Sequence, residues 1–105
     1  MEKPNLVYIE NISKGDLDFE KNLIDILKSE FFLDQKSYFD NLNLRNFNAT
    51  AESVHKIRHK ISILGMEKGH KLASKYEKNL LRSNPQEENE FEAILNVISD
   101  FLKTL

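Results

Sequence analysis

Long stretches in which apolar residues recur every three or four positions constrain this chain more than any other feature. The 105 residues include only three glycines and two prolines, and these fall between the periodic stretches. Spacing of this kind places the apolar residues on one face of an α-helix. The sequence therefore predicts an all-α protein.

The first long helix is predicted to begin at Gly15-Asp16, with Asp16 as its N-cap. Its apolar face comprises Phe19, Leu23, Ile24, Leu27, Phe31, Tyr38 and Leu42. The polar run 45–50 is interpreted as a connection to a second helix, with several possible caps for that helix. The apolar faces of that helix and of the next are Val54, Ile57, Ile61 and Leu64, and then Leu72, Ala73, Tyr76 and Leu80. Gly65 lies between these two helices.

A fourth helix is predicted after the turn at Ser83-Asn84-Pro85. Asn84 is its expected N-cap, Pro85 suits the first helical position, and Glu87 follows the cap by three residues, as in a capping box. The apolar face comprises Phe91, Ile94, Leu95, Ile98, Phe101, Leu102 and Leu105.

Short links between amphipathic helices favour an antiparallel four-helix bundle, because neighbours in sequence then pack side by side. Residues 6–12 precede the bundle as a short helix or an extended arm. At this length we expect residues 1–105 to form a single domain.

Composition excludes several classes of function. The chain contains no cysteine, which excludes disulfides, thiolate zinc sites and thiol catalysis. Its formal charge of −2 argues against general nucleic-acid binding, which relies on a strongly basic surface. We find no secretion signal and no apolar run long enough for a membrane span, so we expect a cytoplasmic protein without membrane contact.

Positive charge is concentrated in the middle of the chain. Residues 1–50 carry a net −3, residues 51–82 a net +5 and residues 83–105 a net −4. The three histidines, His55, His59 and His70, all lie in the basic segment. On a helix, His55 falls roughly 140° from the apolar face and His59 roughly opposite it, so both imidazoles are predicted to face water.

Three interpretations fit this histidine surface. It can be an ordinary solvated face. It can be a metal site, since histidines at i and i+4 can bind one ion, although the chain lacks further ligands there and Lys56, Arg58 and Lys60 would repel a dication. The third interpretation is a phosphohistidine, because a neutral imidazole is a nucleophile and nearby cations offset the incoming charge.

The segment around His55 resembles the histidine-containing phosphotransfer (HPt) domains of bacterial two-component phosphorelays. The signature of that family is His, an apolar residue at +2, Lys at +3, Gly at +4 and Gly at +10. This chain has His55, Ile57, Arg58, His59 and Gly65 at those positions. The helix start Gly15-Asp16-Leu17-Asp18-Phe19 and the segment Leu72-Ala73-Ser74-Lys75-Tyr76-Glu77 are also similar to family patterns.

The resemblance implies a phosphocarrier without kinase or phosphatase activity and without a cofactor or bound metal. His55 would accept a phosphoryl group from the aspartyl phosphate of a receiver domain, in a response regulator or hybrid histidine kinase, and pass it to another receiver. Arg58 would take the place of the phosphate-stabilising lysine, with His59 as a further donor, and Gly65 would be structural at the site. His59 departs from the family, which has glycine there, and this puts the usual approach of the receiver in doubt.

Several residues are candidates for binding the partner. They are Tyr8, Ile9, Phe32, Lys56, Lys60, Ser62 and Ile63. A carrier must dissociate between partners, so we expect a monomer. The alternative function is a helical adaptor that binds a signalling protein without covalent chemistry.

Overall fold

The computed structural model describes residues 2–105, which form five α-helices and no β-strand. The helices are α1 (Val7–Ser13), α2 (Leu17–Asn43), α3 (Phe47–Ile63), α4 (Glu67–Leu80) and α5 (Glu88–Lys103). The all-α class is therefore confirmed, and the N-terminal segment is a helix rather than an extended arm. No helix in this part of the chain combines the length and hydropathy that crossing a membrane requires.

The longest helix sets the dimensions of the molecule. With 27 residues, α2 is about 40 Å long at 1.5 Å per residue, and the molecule measures 44 × 23 × 19 Å. α3 packs against both α2 and α4, and its interface with α4 is the most extensive. α5 lies against α4 and α2, while α1 lies against α2.

Aromatic side chains from three helices meet at the centre of the core. Tyr38 of α2, Tyr76 of α4 and Phe91 of α5 are fully buried, with ring centroids 5.1 to 6.2 Å apart. The Tyr38 hydroxyl donates to Glu92 Oε2 at 3.2 Å, so in the 2.7 Å bond between the two tyrosines the Tyr76 hydroxyl donates to that of Tyr38. This cluster fixes the position of α4 through Tyr76, the residue next to Glu77.

The residues of the predicted apolar faces are buried or partly buried, with two exceptions that are exposed. Phe19 is 46% exposed because it lies in the first turn of α2, and Leu105 is 41% exposed because it follows the end of α5. Asp16 caps α2 as predicted, since its Oδ1 accepts from the Phe19 amide at 3.0 Å.

Of two predicted helix starts, one lies within the expected segment and one is wrong. Among the possible caps in the run 45–50, Asn46 is the one used, because its side chain accepts from the Ala49 amide and α3 begins at Phe47. α5 begins at Glu88, three residues after the predicted start at Pro85. The Asn84 amide donates to the Asn79 carbonyl and so closes the end of α4, and the buried Glu87 carboxylate accepts from the Asn79 side chain.

The N-terminal segment also caps a distant helix. The Glu2 carboxylate accepts from the amides of Lys68 and Gly69, at 2.9 and 2.8 Å, in the first turn of α4. The Asn5 amide donates to the Leu64 carbonyl at 2.8 Å. Residues 2–6 thus connect α1 to the turn between α3 and α4.

Candidate functional site

His55 lies on the outer surface of α3, next to its interface with α4. Val54 and Ile57, its neighbours on the inner face, are fully buried, and this places the imidazole of His55 toward solvent with its side chain 48% exposed. His59, one turn later, is also exposed. The predicted exposure of both rings is confirmed.

A carboxylate from α4 holds one side of the His55 ring. His55 Nδ1 lies 3.1 Å from Oε2 and 3.3 Å from Oε1 of Glu77, which is itself 21% exposed. A carboxylate only accepts hydrogen bonds, so Nδ1 carries the proton and donates to Glu77. In the neutral ring Nε2 is then the nitrogen with a free lone pair, and it points away from Glu77.

Arg58 lies on the Glu77 side of the same ring. Its Nη1 donates to Ser74 Oγ at 3.1 Å, and its Nε lies 3.5 Å from Glu77 Oε1. Nη2 is 3.2 Å from His55 Nδ1, but a protonated Nδ1 cannot accept from it. The guanidinium therefore balances the charge of Glu77 and is held by α4 through Ser74.

His59 contacts the opposite nitrogen of His55. The two Nε2 atoms are 3.3 Å apart, and the rings meet edge to face at 87° with centroids 4.8 Å apart. Because His55 Nε2 is the acceptor in the neutral ring, His59 Nε2 is the donor. Each nitrogen of His55 thus has its own partner, Glu77 on one side and His59 on the other.

The remaining predicted residues are more dispersed. Gly65 follows the end of α3, about 15 Å along the helix axis from His55, and has a left-handed conformation in the turn to α4. Ile9 is only 2% exposed and packs in the core, where it also borders an apolar groove that reaches His59. Phe32 is partly buried against the core.

An apolar groove of about 280 Å³ adjoins His59 between α1, α2 and α3. Tyr8 and Ile63 line it, as do Ile12 and Ile26, which are 42% and 55% exposed. Lys60 also borders the groove, but its ammonium is paired with Asp34 at 3.0 Å and Glu30 at 3.3 Å.

The other two candidates lie elsewhere on the surface. Lys56 lines a cleft beside His55 and Glu77. Ser62 lines a separate cleft with Glu67, His70 and Lys71.

Sequence reasoning assigned no role at the site to Glu77 or Ser74. Both lie in the segment Leu72–Glu77, and their outward direction follows from the buried Ala73 and Tyr76 beside them. The sequence does not give the register between α3 and α4, which is what brings position 77 to position 55.

Comparison with protein-family models, with curated proteins and with solved structures finds no match to this chain.

Proposed function

We propose that this protein is an HPt-like phosphocarrier, with His55 as the residue that receives the phosphoryl group. The observation that carries the proposal is the hydrogen bond between His55 Nδ1 and Glu77. It selects the tautomer in which the exposed Nε2 is a nucleophile, as a carrier histidine requires.

In the proposed reaction, the Nε2 lone pair attacks the phosphorus of an aspartyl phosphate on a receiver domain. The N–P bond forms while the bond from phosphorus to the carboxylate oxygen breaks, and the aspartate leaves with the electron pair. No proton has to be removed, because Nδ1 keeps its proton. The ring then carries positive charge, which the Glu77 carboxylate stabilises across the bond to Nδ1. Transfer to a second receiver reverses these steps.

His59 and Arg58 have different roles in this proposal. The His59 ring must first release His55 Nε2, and it can then donate to an oxygen of the phosphoryl group. Arg58 lies on the Nδ1 side of the ring, so from its present position it stabilises the phosphorylated site through Glu77. Direct contact with the phosphate would require its guanidinium to leave Ser74. The two residues are thus expected to contribute separately.

The apolar groove beside His59 supports a docking surface for the receiver. Its exposed apolar side chains, Tyr8, Ile12 and Ile26, lie next to the basic segment of α3. Interface cores are depleted of charge and enriched in aromatic residues, with charged residues around them. A receiver whose acidic phosphorylation site faces His55 would bring its surrounding surface onto this groove.

The remaining parts of the proposal concern the whole protein. We infer that α2 to α5 form an antiparallel four-helix bundle, since α2 packs on α3, α3 on α4, α4 on α5 and α5 on α2. We propose that the carrier works in the cytoplasm and without a cofactor. We also propose that it is a monomer, because a carrier must dissociate from one partner before it meets the next.

The first test is phosphorylation of the purified protein by a phosphorylated receiver domain. Wild type is compared with His55→Gln, His59→Gln, Glu77→Gln and the control His70→Gln. We expect acid-labile, base-stable phosphate on wild type and on His70→Gln, and none on His55→Gln. Glu77→Gln is expected to be about tenfold slower, because a neutral amide replaces a charge-assisted acceptor.

The outcomes separate the proposed function from its alternatives. Label lost in His59→Gln but kept in His55→Gln would identify His59 as the carrier. No label from several competent receivers, with binding retained, would instead indicate the adaptor. Circular dichroism of each variant verifies that the helices are intact.

A further inference from the structure

The paired Nε2 atoms of His55 and His59 have the separation of two ligands in a tetrahedral metal site. They are 3.3 Å apart. With zinc–nitrogen bonds of about 2.0 to 2.1 Å, that separation gives a nitrogen–zinc–nitrogen angle of roughly 104° to 111°, close to the tetrahedral value. In the other neutral tautomer of His59, with the proton on Nδ1, a small rotation of the exposed ring aims the Nε2 lone pair at an ion beside the line between the nitrogens.

The contact with Glu77 completes an arrangement typical of zinc ligands. A histidine that binds metal through one nitrogen usually donates its other N–H to a carboxylate, which fixes the tautomer and raises the basicity of the ligand. His55 already donates Nδ1–H to Glu77 at 3.1 Å. Its Nε2 is therefore prepared to bind a metal before one arrives.

Two of the three cations that argue against a metal on sequence grounds are neutralised in the structure. Lys60 is paired with Asp34 and Glu30, at 3.0 and 3.3 Å, and its side chain is only 12% exposed. Arg58 is paired with Glu77 and bonded to Ser74. The repulsion of a dication is consequently much weaker than a helix with three free cations would produce.

We propose that His55 and His59 form a binding site for Zn²⁺, in which the metal binds both Nε2 atoms and the Nε2 proton of His59 moves to Nδ1 of the same ring. Residues 2–105 contain no convergent group of three or more histidine or carboxylate ligands, so water occupies the remaining coordination positions. The proposal concerns metal binding alone and does not require His55 to be phosphorylated.

Bound zinc would use the same lone pair that attacks phosphorus. Metal binding and modification of His55 Nε2 are therefore mutually exclusive. This competition between zinc and phosphorylation depends on His59, which stands where the HPt signature has glycine. Without His59, His55 would provide only a single metal ligand.

Isothermal titration with zinc chloride in a non-chelating buffer tests the site. We expect one Zn²⁺ per chain for wild type and for the control His70→Gln, which keeps both proposed ligands. His55→Gln and His59→Gln should each lose this binding. Glu77→Gln should weaken it about tenfold, as substitutions of carboxylates behind a metal-bound histidine generally do.

A second measurement identifies the nitrogens involved. In two-dimensional NMR of the imidazole groups, zinc should shift the Nε2 resonances of His55 and His59 and leave those of His70 in place. Binding by His59→Gln equal to that of wild type would overturn the proposal. Equal loss in His70→Gln would also overturn it, because it would show that surface histidines bind zinc without regard to geometry.

Discussion

At the scale of single residues, the site depends on which nitrogen of His55 carries the proton. The sequence places His55, Arg58 and His59 on one helical surface, and the structure adds the carboxylate of Glu77 from α4. The exposure of the histidines was predictable from helical periodicity, because their direction depends only on residues within α3. The tautomer was not predictable, because it depends on a contact between residues 22 positions apart.

Because two tyrosines are buried, the stability of the fold is expected to depend on pH in the alkaline range. Burial raises the pKa of Tyr76 from 10.0 to about 12, and burial together with the neighbouring Glu92 carboxylate raises the pKa of Tyr38 further. Above pH 10 the unfolded chain loses these protons and the folded chain keeps them, so stability falls as the pH rises. We expect a loss of about 1.4 kcal/mol per pH unit for each tyrosine between pH 10 and 12.

Urea denaturation at a series of pH values measures this loss, with Tyr38→Phe as the comparison. The variant should be about 1 kcal/mol less stable than wild type at pH 8, because Tyr76 loses its hydroxyl partner. Above pH 10 it should lose stability less steeply, since one titrating group is gone. If the free energy of unfolding fell equally steeply with pH in the two proteins, lysines or other groups would dominate the pH dependence.

At the scale of helices, the faces were predictable from the sequence and the ends only in part. Asp16 caps α2 by a bond within three residues, so local sequence was sufficient. Residues 84–87 have the sequence pattern of a helix start. In the structure, however, the Asn84 amide donates to the Asn79 carbonyl, and the Glu87 carboxylate accepts from the Asn79 side chain. Contacts with the preceding helix prevail there over the local capping pattern. The same holds for Glu2, which caps α4 from the other end of the sequence.

Two glycines with left-handed conformations allow a comparison that measures how tightly Asn5, in the N-terminal segment, packs against the turn after α3. Gly15 and Gly65 have φ values of +85° and +75°. An added Cβ at Gly15 meets no atom within 4 Å, whereas one at Gly65 would lie 2.5 Å from Asn5 Nδ2. Alanine should therefore cost about 1 to 2 kcal/mol of backbone strain at either position. At Gly65 we expect about 1 kcal/mol more, because Asn5 is displaced from its hydrogen bonds.

Denaturation of the two alanine variants, together with Asn5→Ala and the double variant Asn5→Ala/Gly65→Ala, tests this difference. In the absence of the Asn5 side chain, the cost of Gly65→Ala should fall to that of Gly15→Ala. An unchanged cost would show that the strain lies in the backbone alone and that Asn5 adjusts freely.

At the scale of the whole molecule, the proposed function needs two surfaces that act in sequence. In this proposal the His55 site would perform the chemistry, and the groove lined by Tyr8, Ile12 and Ile26 would hold the receiver during transfer. The sequence suggested Tyr8 and Ile63 as binding residues, but it could not show that α1 and α3 border one groove. That placement depends on how α1 packs on α2.

Separating docking from chemistry gives a direct test of this division. Tyr8 is 52% exposed, so Tyr8→Ala should change stability by less than about 0.5 kcal/mol. If its ring anchors the receiver, the substitution should slow transfer from a subsaturating phosphorylated receiver by about tenfold or more. Phosphorylation by phosphoramidate, a small donor that needs no docking, should proceed at the wild-type rate.

Leu44→Ala is the matched control, since Leu44 is 78% exposed and lies in the turn between α2 and α3, away from the groove. It removes a similar apolar side chain and should leave both rates unchanged. Equal slowing of Tyr8→Ala with both donors would place the effect in the chemistry of His55 instead. If Leu44→Ala slowed transfer from the receiver as much as Tyr8→Ala does, while phosphorylation by phosphoramidate stayed at the wild-type rate, the docking surface would lie at the other end of α3. Leu44 precedes that helix, whereas His59 lies near its end.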